Sequence, residues 1–390
     1  MKGEKKVSII GCGNYDYKKV KAVVKGSVDL LGGISAFVKE GDRVLVKPNL
    51  LMKAAPEKGI TTHPTVLKAV VELVQEAGGK VLIADSAGMG DAYTPKSLRK
   101  LYQIAGFDRV ADETGAELNY DTRVIVRDFP EGHLLKRFEL IAPLDRVDKV
   151  VSVSKLKTHA LMHVTGAVKN LFGLIPGRKK FSYHSTLVRP ELFGDMLLDL
   201  NLCAPADLHI MDGIVGMEGD GPNAGTLRDI GVVLASPNPI SLDLVMAKIM
   251  DVEPSTIPHL AAAFKRNLHP ADYSSIEVVG DRVEGFVQKG FKSPKTFDGG
   301  IYKEGIMARI APLLKPITSQ KPYPDPTRCV GCGVCVEACP RKVITLNKDR
   351  KAVVNYSGCI RCYCCHELCP EKAIDIVDGG LTKLIKKIAG

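Results

Sequence analysis

The sequence predicts an α/β fold with a mainly parallel sheet and β-hairpin insertions, followed by a small α+β domain at the C-terminus. Three observations support this prediction. Short β-branched apolar runs alternate with segments of helical periodicity, and polar loops follow the apolar runs. Nine cysteines lie between 329 and 369. A chain of 390 residues, 45% of them hydrophobic, is long enough for two or three domains of roughly 100–200 residues. We expect an α/β domain over 1–290 in one or two lobes, a linker over 291–320, the small domain over 321–378 and a tail over 379–390.

Strands and helices alternate over most of the predicted α/β domain. Valines recur at helical spacing between Val20 and Val28. Pro64 begins a second helical pattern, because proline suits the first position of a helix. The predicted strands are VSII at 7–10, RVLV at 43–46, KVLIA at 80–84, VDKVVSVS at 147–154, LHIM at 208–211 and GVVLA at 231–235.

Two further segments predict antiparallel hairpins. Residues 122–142 place apolar runs on both sides of a Pro-Glu-Gly turn, and residues 276–287 do the same around Gly280-Asp281. The proline-rich linker shows little periodicity apart from one short helix that we expect near 303–315.

Composition and missing motifs exclude several classes of protein. No apolar stretch reaches the roughly 18 residues of a membrane span, and the apolar run at the N-terminus is too short for a secretory signal. Phosphate-loop, dinucleotide, nucleophile-elbow and HExxH motifs are absent. Aromatic and zinc-finger signatures of nucleic-acid binding are absent as well, which disfavours nucleic acid as a partner. We expect a cytoplasmic protein without a transmembrane segment.

The cysteines follow a repeated spacing that predicts metal ligation. The spacing C-x2-C-x2-C-x3-C-Pro occurs twice, with an offset of 30 residues, in a chain of 11 cysteines. Structural zinc sites usually show two C-x2-C pairs separated by a longer loop, so this spacing disfavours zinc. The two runs are Cys329, Cys332, Cys335 and Cys339, and Cys359, Cys362, Cys365 and Cys369.

Residues 321–378 resemble a bacterial two-cluster ferredoxin on the strength of these two runs. The resemblance implies two 4Fe–4S clusters, with the fourth cysteine of each run binding the other cluster. VITL at 343–346 and AIDIV at 373–377 are then expected to be the paired strands of the small domain. The extra Cys364 is interpreted as an unligated thiol, with a ligand swap or a redox-active thiol as alternatives. The implied ligands are Cys329, Cys332, Cys335 and Cys369 for cluster 1, and Cys359, Cys362, Cys365 and Cys339 for cluster 2.

Polar side chains follow several predicted strands and predict a binding crevice. Ligands of open α/β sheets bind beyond the carboxyl ends of the strands. Residues 149–190 contain eight Lys or Arg and no Asp or Glu, so we expect the crevice to attract a small anion. A solvated basic surface is the alternative. The predicted catalytic residues are His159, Lys169 and Asp212, and the predicted substrate-binding residues are Lys47, Asn49, Lys155, Lys157, Asn170, Glu218 and Asp220.

The segment 212–225 is acidic and rich in glycine. Asp212, Glu218 and Asp220 lie among glycines that let the backbone approach a ligand closely. Three interpretations stay open: a divalent metal site, substrate binding or acid–base chemistry, and a plain turn. An organic cofactor such as a flavin in the α/β domain is also left open.

The order of several motifs over residues 5–290 resembles the domain-of-unknown-function family numbered 362, whose members are often fused to a two-cluster ferredoxin. That family brings no established reaction with it. A fainter similarity is to nickel-pincer lactate racemase, through His159 or His163, Lys169 and Pro176-Gly177, although the racemase's Gly-Gly-Arg-Lys run is absent. The motifs of the first family are KPNL at 47–50, HP at 63–64, ADS at 84–86, SKLKTH at 154–159, GAVKNLFGLIPG at 166–177 and DGIVGMEGDGP at 212–222.

Three functions follow from these features. The first is an iron–sulfur oxidoreductase that passes single electrons to an anionic substrate or cofactor in the basic crevice, with His159 as proton donor. The second is an electron-transfer or redox-sensing protein whose basic face docks an acidic partner. The third is a non-redox isomerase or lyase with structural clusters. The first function also requires a redox partner protein, and the oligomeric state is left open.

Overall fold

The structure is a computed structural model that describes residues 4–86, 88, 92–177, 179–297 and 320–378. The helix expected near 303–315 and the predicted tail lie outside the described residues. The strands are β1 (Lys6–Gly11), β2 (Arg43–Pro48), β3 (Lys80–Ile83), β4 (Glu117–Leu118), β5 (Val124–Asp128), β6 (Arg137–Ile141), β7 (Lys149–His159), β8 (His163–Val164), β9 (Leu208–Glu218), β10 (Thr226–Ser236), β11 (Glu277–Gly280), β12 (Lys321–Pro324), β13 (Ile344–Leu346), β14 (Ala352–Val354) and β15 (Ile374–Val377). The helices are α1 (Tyr17–Asp29), α2 (Pro64–Glu76), α3 (Pro95–Ala105), α4 (Phe107–Thr114), α5 (Gly166–Asn170), α6 (Lys179–Thr186), α7 (Pro190–Cys203), α8 (Pro239–Ile249), α9 (Pro258–Lys265), α10 (Val334–Ala338) and α11 (Cys364–Glu367).

A mainly parallel sheet forms the centre of the α/β domain, as the sequence predicts. Its strand order is β11-β1-β10-β9-β7-β2-β3-β4, with β8 paired to β7 outside this path. Strands β9, β7, β2, β3 and β4 pair in parallel, whereas β10 runs antiparallel to both of its neighbours. The carboxyl ends of β2, β7 and β9 therefore lie side by side at one end of the sheet. Ligands of open α/β sheets bind beyond the carboxyl ends of the strands.

Helices cover both faces of the sheet and divide the apolar core into two layers. Val44 and Val46 of β2 pack with α1 to α4 on one face, while Leu45 packs with α7 to α9 on the other. Successive side chains of a strand point to opposite faces, so a strand covered on both faces is apolar throughout. This explains why the inner strands read as continuous apolar runs rather than alternating ones. The predicted hairpin over 122–142 is present as the antiparallel pair β5 and β6.

Three expectations about strand limits are wrong. Strand β7 continues through His159, so Lys155 and Lys157 lie within a strand and not in a loop. Strand β9 continues to Glu218, because its glycines are accommodated in a strand paired on both sides. The hairpin expected over 276–287 does not form. Instead β11 pairs in parallel with β1, and a 3₁₀ turn follows it.

The small C-terminal domain consists of two short hairpin-like sheets and two short helices. Strand β13 pairs with β14, and β15 pairs with β12, each in antiparallel register. The expectation that the strands after the two cysteine runs pair with each other is therefore wrong, because the short turn after β13 joins it to β14 in a hairpin, whereas β15 pairs with β12 at the start of the domain. Every helix among the described residues is too short or too polar to cross a lipid bilayer.

Candidate functional site

Eight cysteines of the C-terminal domain surround two separate cavities. Each cavity takes three thiols from one cysteine run and the fourth thiol from the other run, the arrangement that the ferredoxin resemblance implies. The first cavity is lined by Cys329, Cys332, Cys335 and Cys369. The second is lined by Cys339, Cys359, Cys362 and Cys365.

The donor set and its spacing fit four-iron clusters better than single ions. Four thiols around one cavity provide one ligand for each iron of a 4Fe–4S cluster. Across the described residues, no group of three or more His, Cys, Asp or Glu is placed to hold one metal ion. The thiols are thus not arranged around a single ion, and zinc fits them poorly because zinc needs four ligands within about 2.3 Å.

The repeat in the sequence is also a repeat in backbone conformation. Gly331 and Gly333 of the first loop have φ angles of 67° and 81°, and Arg361 and Tyr363, 30 residues later, have 57° and 59°. Both loops therefore turn in the same way and direct their thiols inward. Cys364 is buried and lies outside both cavities, with its Sγ 3.9 Å from the carbonyl oxygen of Cys362.

A buried ion pair joins β7 to β9 at the edge of the sheet. Nζ of Lys155 lies 2.8 Å from Oδ2 of Asp212, and the two side chains are 1% and 0% exposed. Asp212 also accepts hydrogen bonds from the Tyr15 hydroxyl at 2.9 Å and from the His63 backbone N–H at 3.0 Å. The Tyr15 ring stacks on the His63 ring at 3.6 Å. This cluster fully engages Asp212, so its role is to hold β7, β9 and the loops before α1 and α2 together.

A second buried pair lies where β2 and β3 end. Nζ of Lys47 donates to Oδ2 of Asp85 at 2.5 Å, with side chains 1% and 3% exposed. Gly173 lies directly over this pair, because a Cβ at that position would be only 2.5 Å from both Lys47 Nζ and Asp85 Oδ2. Glycine is therefore required there for the loop after α5 to close over the strand ends.

Two asparagines connect the strand ends to α5. Nζ of Lys157 donates to Oδ1 of Asn49 at 2.9 Å and to the carbonyl oxygen of Ile60 at 2.5 Å. Asn49 in turn donates to Oδ1 of Asn170, which itself donates to the Ser152 hydroxyl at 2.9 Å. Burial and the neighbouring cations lower the pKa of Lys157 well below its ordinary value. Lys157 and Asn170 thus hold the strand ends and α5 in place at the site.

A small cavity opens between the sheet edge and the cluster-binding domain. Its lining includes residues that the sequence predicts and others that the prediction omitted. Glu367 of α11 contributes one wall, although it belongs to the cluster-binding domain. The lining residues are Lys47, Asn49, Leu50, Leu51, Asp85, Gly88, His159, Lys169, Asn170, Phe172, Gly173, Lys180, His184 and Glu367.

The ionisable groups around this cavity have strongly shifted pKa values. Burial lowers the pKa of Lys169 to about 8 and that of Lys180 to about 7, and it raises the pKa of Glu367 to about 7. Burial also lowers the pKa of His184 to about 3, so this imidazole is neutral near pH 7. Perturbed pKa values that cluster in a cleft are typical of a functional site.

His159 is a neutral hydrogen-bonding group rather than a cation. Its Nδ1 accepts hydrogen bonds from the backbone N–H groups of Leu161 at 3.2 Å and Met162 at 3.3 Å, which places the ring proton on Nε2. Burial lowers its pKa well below the ordinary value. Oε1 of Glu367 lies 3.4 Å from the same Nδ1 and has no hydrogen-bond donor among the described residues.

The cluster-binding domain contacts the α/β domain next to this cavity. The Asn223 side chain donates to the carbonyl oxygen of Cys369 at 2.9 Å, and Nε2 of His366 lies 3.2 Å from the carbonyl oxygen of Asp220. Phe181 of α6 packs against a buried apolar group made of Ala338, Cys362, Cys364 and Leu368. Helix α6 also carries Lys180 and His184 of the cavity, so one helix contacts both the cavity lining and the cluster-binding domain.

The predicted acidic residues do not converge. Glu218 accepts from Arg228 at 2.7 Å, and Asp220 pairs with Lys295 at 3.2 Å. Asp212 lies six residues before Glu218 in β9, which separates them by about 20 Å at the rise of a strand. Each carboxylate already has a cationic partner among the described residues.

Tyr15, His63, Lys180, His184 and Glu367 are site residues that the prediction omitted. His63 belongs to the HP motif and Lys180 and His184 to the basic segment, so sequence signals existed for these three. No signal marks Glu367, because its position depends on how the two domains pack.

Comparison with known proteins agrees with this architecture. A family model described as Domain of unknown function (DUF362) matches residues 44–248, and one described as 4Fe-4S dicluster domain matches residues 328–373. The thylakoid-associated protein sll1697 of Synechocystis sp. is 36% identical over 275 residues, which cover 68% of this chain and 81% of that protein.

One solved structure, the lactate racemase apoprotein from Thermoanaerobacterium thermosaccharolyticum, is similar over 65% of this chain and 57% of its own, with 13% identity and a TM-score of 0.39. The chain thus spans little more than half of that structure. The family model and the cyanobacterial relative are the stronger matches, and they show that the chain belongs to the DUF362 family, joined here to a C-terminal 4Fe-4S dicluster domain.

Proposed function

We propose that this iron–sulfur protein is an oxidoreductase that reduces a small anion bound in the cavity between its two domains. One observation carries the proposal: Glu367, which lies between the cluster ligands Cys365 and Cys369, forms a wall of the cavity that Lys169 and Lys180 also line. Bound clusters supply single electrons, so a molecule in this cavity lies beside the source of electrons.

The charge of the cavity favours an anion. Three lysines, Lys47, Lys169 and Lys180, line the cavity. Two carboxyl groups, those of Asp85 and Glu367, line it with them. A carboxylate or phosphate would gain charge-assisted hydrogen bonds from the Lys169 and Lys180 ammonium groups, in surroundings where such bonds are stronger than in water. The Nε2–H of His159 provides a neutral donor beside them.

Lys169 is best suited to supply a proton to the bound anion. Its pKa of about 8 leaves the ammonium form populated near neutral pH, yet close enough to its pKa for proton transfer. His159 is a weaker choice than the sequence suggested, because its burial disfavours the imidazolium form. Asp212 acts at a distance from the cavity by holding Lys155, so we propose it as a positioning residue.

The burial of the basic residues favours a small ligand over a docked protein. Lys155, Lys157 and Lys180 are each no more than 3% exposed, so these cations of the basic segment do not form a surface patch. Lys149 and Lys179 pair with Asp207 and Glu139 at the surface. This arrangement argues against the basic segment as a docking face for an acidic partner.

The test is an anion titration of the anaerobic holoprotein. Electron paramagnetic resonance before and after dithionite, with iron analysis, establishes reducible clusters. Phosphate, sulfate and small carboxylates are then titrated while the reduced signal and the midpoint potentials are measured. We expect one class of anion to shift the reduced signal, because a negative charge beside a cluster opposes its reduction.

Lys169→Met and Lys180→Met are the decisive variants, and Lys179→Met is the matched control. Lys179 neighbours Lys180 in α6 but pairs with Glu139 at the surface, 2.5 Å away. We expect anion affinity to fall about tenfold or more in the first two variants and to stay unchanged in the control. If all three bind alike, the cavity is not the anion site. If the clusters cannot be reduced at all, the non-redox isomerase or lyase replaces this proposal.

We also propose that the protein works in the cytoplasm. The eight cluster ligands must stay reduced to bind iron, and a reducing compartment keeps them so. Fractionation of cells that express the full chain, followed by iron analysis of each fraction, tests this location.

A further inference from the structure

The cavity between the two domains is lined by three polar groups that lack partners. Nδ1 of His184 and Oε1 of Glu367 are buried without a hydrogen-bond partner among the described residues. In the same part of the chain the Lys169 ammonium forms no hydrogen bond or ion pair, and it lies 5.8 Å from the centre of the Phe172 ring. Buried polar groups of native proteins are normally paired, so three unpaired groups around one cavity indicate a ligand that pairs with them.

The other ionisable groups of the lining have partners within the protein. Nζ of Lys47 donates to Oδ2 of Asp85 at 2.5 Å, and Nζ of Lys180 donates to the Ser86 hydroxyl at 2.6 Å. A ligand therefore competes least with the protein's own bonds where the three unpaired groups lie.

Aromatic rings hold the His184 imidazole in place. The centre of its ring lies 4.7 Å from that of Phe193 and 5.9 Å from that of Phe172, the ring that Lys169 also contacts. Burial and the charges of Lys169 and Lys180 lower the pKa of His184 to about 3, so the imidazole is neutral. A neutral imidazole has one N–H donor and one acceptor nitrogen, so it can hydrogen-bond a second polar group of an anion that Lys169 binds.

The charge and the apolar part of the lining favour a small monoanion. Three lysines and two carboxyl groups give the lining a formal charge of +1, which a single carboxylate neutralises. A dianion would place a surplus negative charge beside Asp85 and Glu367, in surroundings where like charges repel more strongly than in water. Leu50, Leu51 and Phe172 provide apolar surface for a short carbon skeleton.

We propose that His184 determines which anion the cavity accepts: its ring hydrogen-bonds a hydroxyl or carbonyl oxygen of a small monocarboxylate whose carboxylate binds the Lys169 ammonium. The inference rests on the proposed function, because it names the class of anion for that same cavity. A site that hydrogen-bonds such an oxygen rejects the analogue without it, since the buried polar group is then left unpaired. The occupant is thus a hydroxy or oxo acid and not a bare carboxylate.

The test compares anions that differ only in this oxygen. Acetate with glycolate, and propionate with pyruvate, are titrated calorimetrically into the anaerobic full-length holoprotein at about pH 6, where Lys169 and Lys180 are protonated. We expect the oxygen-bearing member of at least one pair to bind about tenfold or more tightly than its analogue. Equal affinities within both pairs overturn the proposal.

Variants of His184 then assign the preference to this side chain. His184→Phe keeps an aromatic ring beside Phe172 and Phe193 but removes both ring nitrogens, so we expect both members of a pair to bind as weakly as the analogue binds to the wild type. His184→Gln should restore part of the preference, because an amide also donates and accepts hydrogen bonds. The control is His133→Phe at an exposed position between β5 and β6, which should leave the preference unchanged. A preference that survives in His184→Phe overturns the assignment.

The outcomes separate this inference from the proposed function. Lys169→Met should weaken both members of a pair alike and keep their ratio. If anions bind in the cavity but neither pair is discriminated, the anion site stands and this inference fails. If none of these carboxylates, phosphate or sulfate binds, the proposed function fails as well. Iron content and circular dichroism must match the wild type in each variant, and the wild-type comparison decides by itself if His184→Phe does not fold.

Discussion

Replacing Asp212 by asparagine should destabilise the α/β domain more than any surface change of equal size. The variant keeps the shape of the side chain but removes the charge that faces Lys155 at 2.8 Å, inside a site where both side chains are at most 1% exposed. Removing one partner of a buried ion pair leaves an uncompensated charge and typically costs about 3–5 kcal/mol. The amide also presents a donor where Tyr15 and the His63 backbone already donate, which adds to the loss.

The loss should depend on pH in a defined direction. Burial lowers the pKa of Lys155, and the charge of Asp212 is what opposes that shift. Without Asp212 the folded pKa falls further below the unfolded value, so the unfolded state binds more protons over a wider pH range. Stability then rises with pH, and the deficit of the variant should be largest near pH 6 and smaller near pH 9.

Urea unfolding followed by circular dichroism at these two pH values measures the effect. Asp207→Asn is the control, because Asp207 immediately precedes β9 and pairs with Lys149 at the surface, where both side chains are 34% exposed. A surface pair contributes at most about 1 kcal/mol. Lys155→Met combined with Asp212→Asn should recover most of the stability, since no charge is then left unpaired. A deficit no larger than that of Asp207→Asn, or one that grows with pH, would refute the reasoning.

Three further outcomes are expected. Anion affinity should fall about tenfold per pH unit between pH 7 and pH 8 and more steeply above pH 8, because the bound anion needs both Lys180 and Lys169 protonated and their pKa values are about 7 and about 8. Isothermal titration at several pH values checks this, and Lys169→Met should keep only the dependence that begins near pH 7. Gly166→Ala should lower the free energy of unfolding by about 2 kcal/mol or more. Gly166 has a φ of 61°, and an added Cβ would lie 2.4 Å from the Asp243 carboxylate that caps α5. Equal urea midpoints for variant and wild type would contradict this prediction. Cys364→Ser should keep about eight irons per chain, whereas Cys369→Ser should lose about half of them. Iron analysis of anaerobically purified protein measures both. Loss of iron in Cys364→Ser would instead show that Cys364 is a ligand.

The parts of the site that could be predicted are those whose chemistry is local in the chain. The spacing of the cysteine runs is itself the geometry of a cluster loop, so both ligand sets follow from it together with the ferredoxin resemblance. Lys47, Asn49 and His159 are predicted because they follow apolar strand patterns, and Lys169 because it lies in the basic segment. All four line one cavity in the structure. Strand ends were less accurate, since β7 and β9 continue through polar and glycine residues that pairing on both sides supports.

By itself, the sequence determined the mainly parallel α/β architecture, the cluster-binding domain and the presence of a basic segment, because periodicity, cysteine spacing and charge are properties of neighbouring residues. Only the tertiary structure decided what that basic segment does. Lys155 forms a buried ion pair with Asp212, and Lys169 and Lys180 line a cavity. Glu367, which belongs to the other domain, lines the same cavity. These outcomes depend on which residues meet across long stretches of chain, and a buried charge takes its function from the partner it meets.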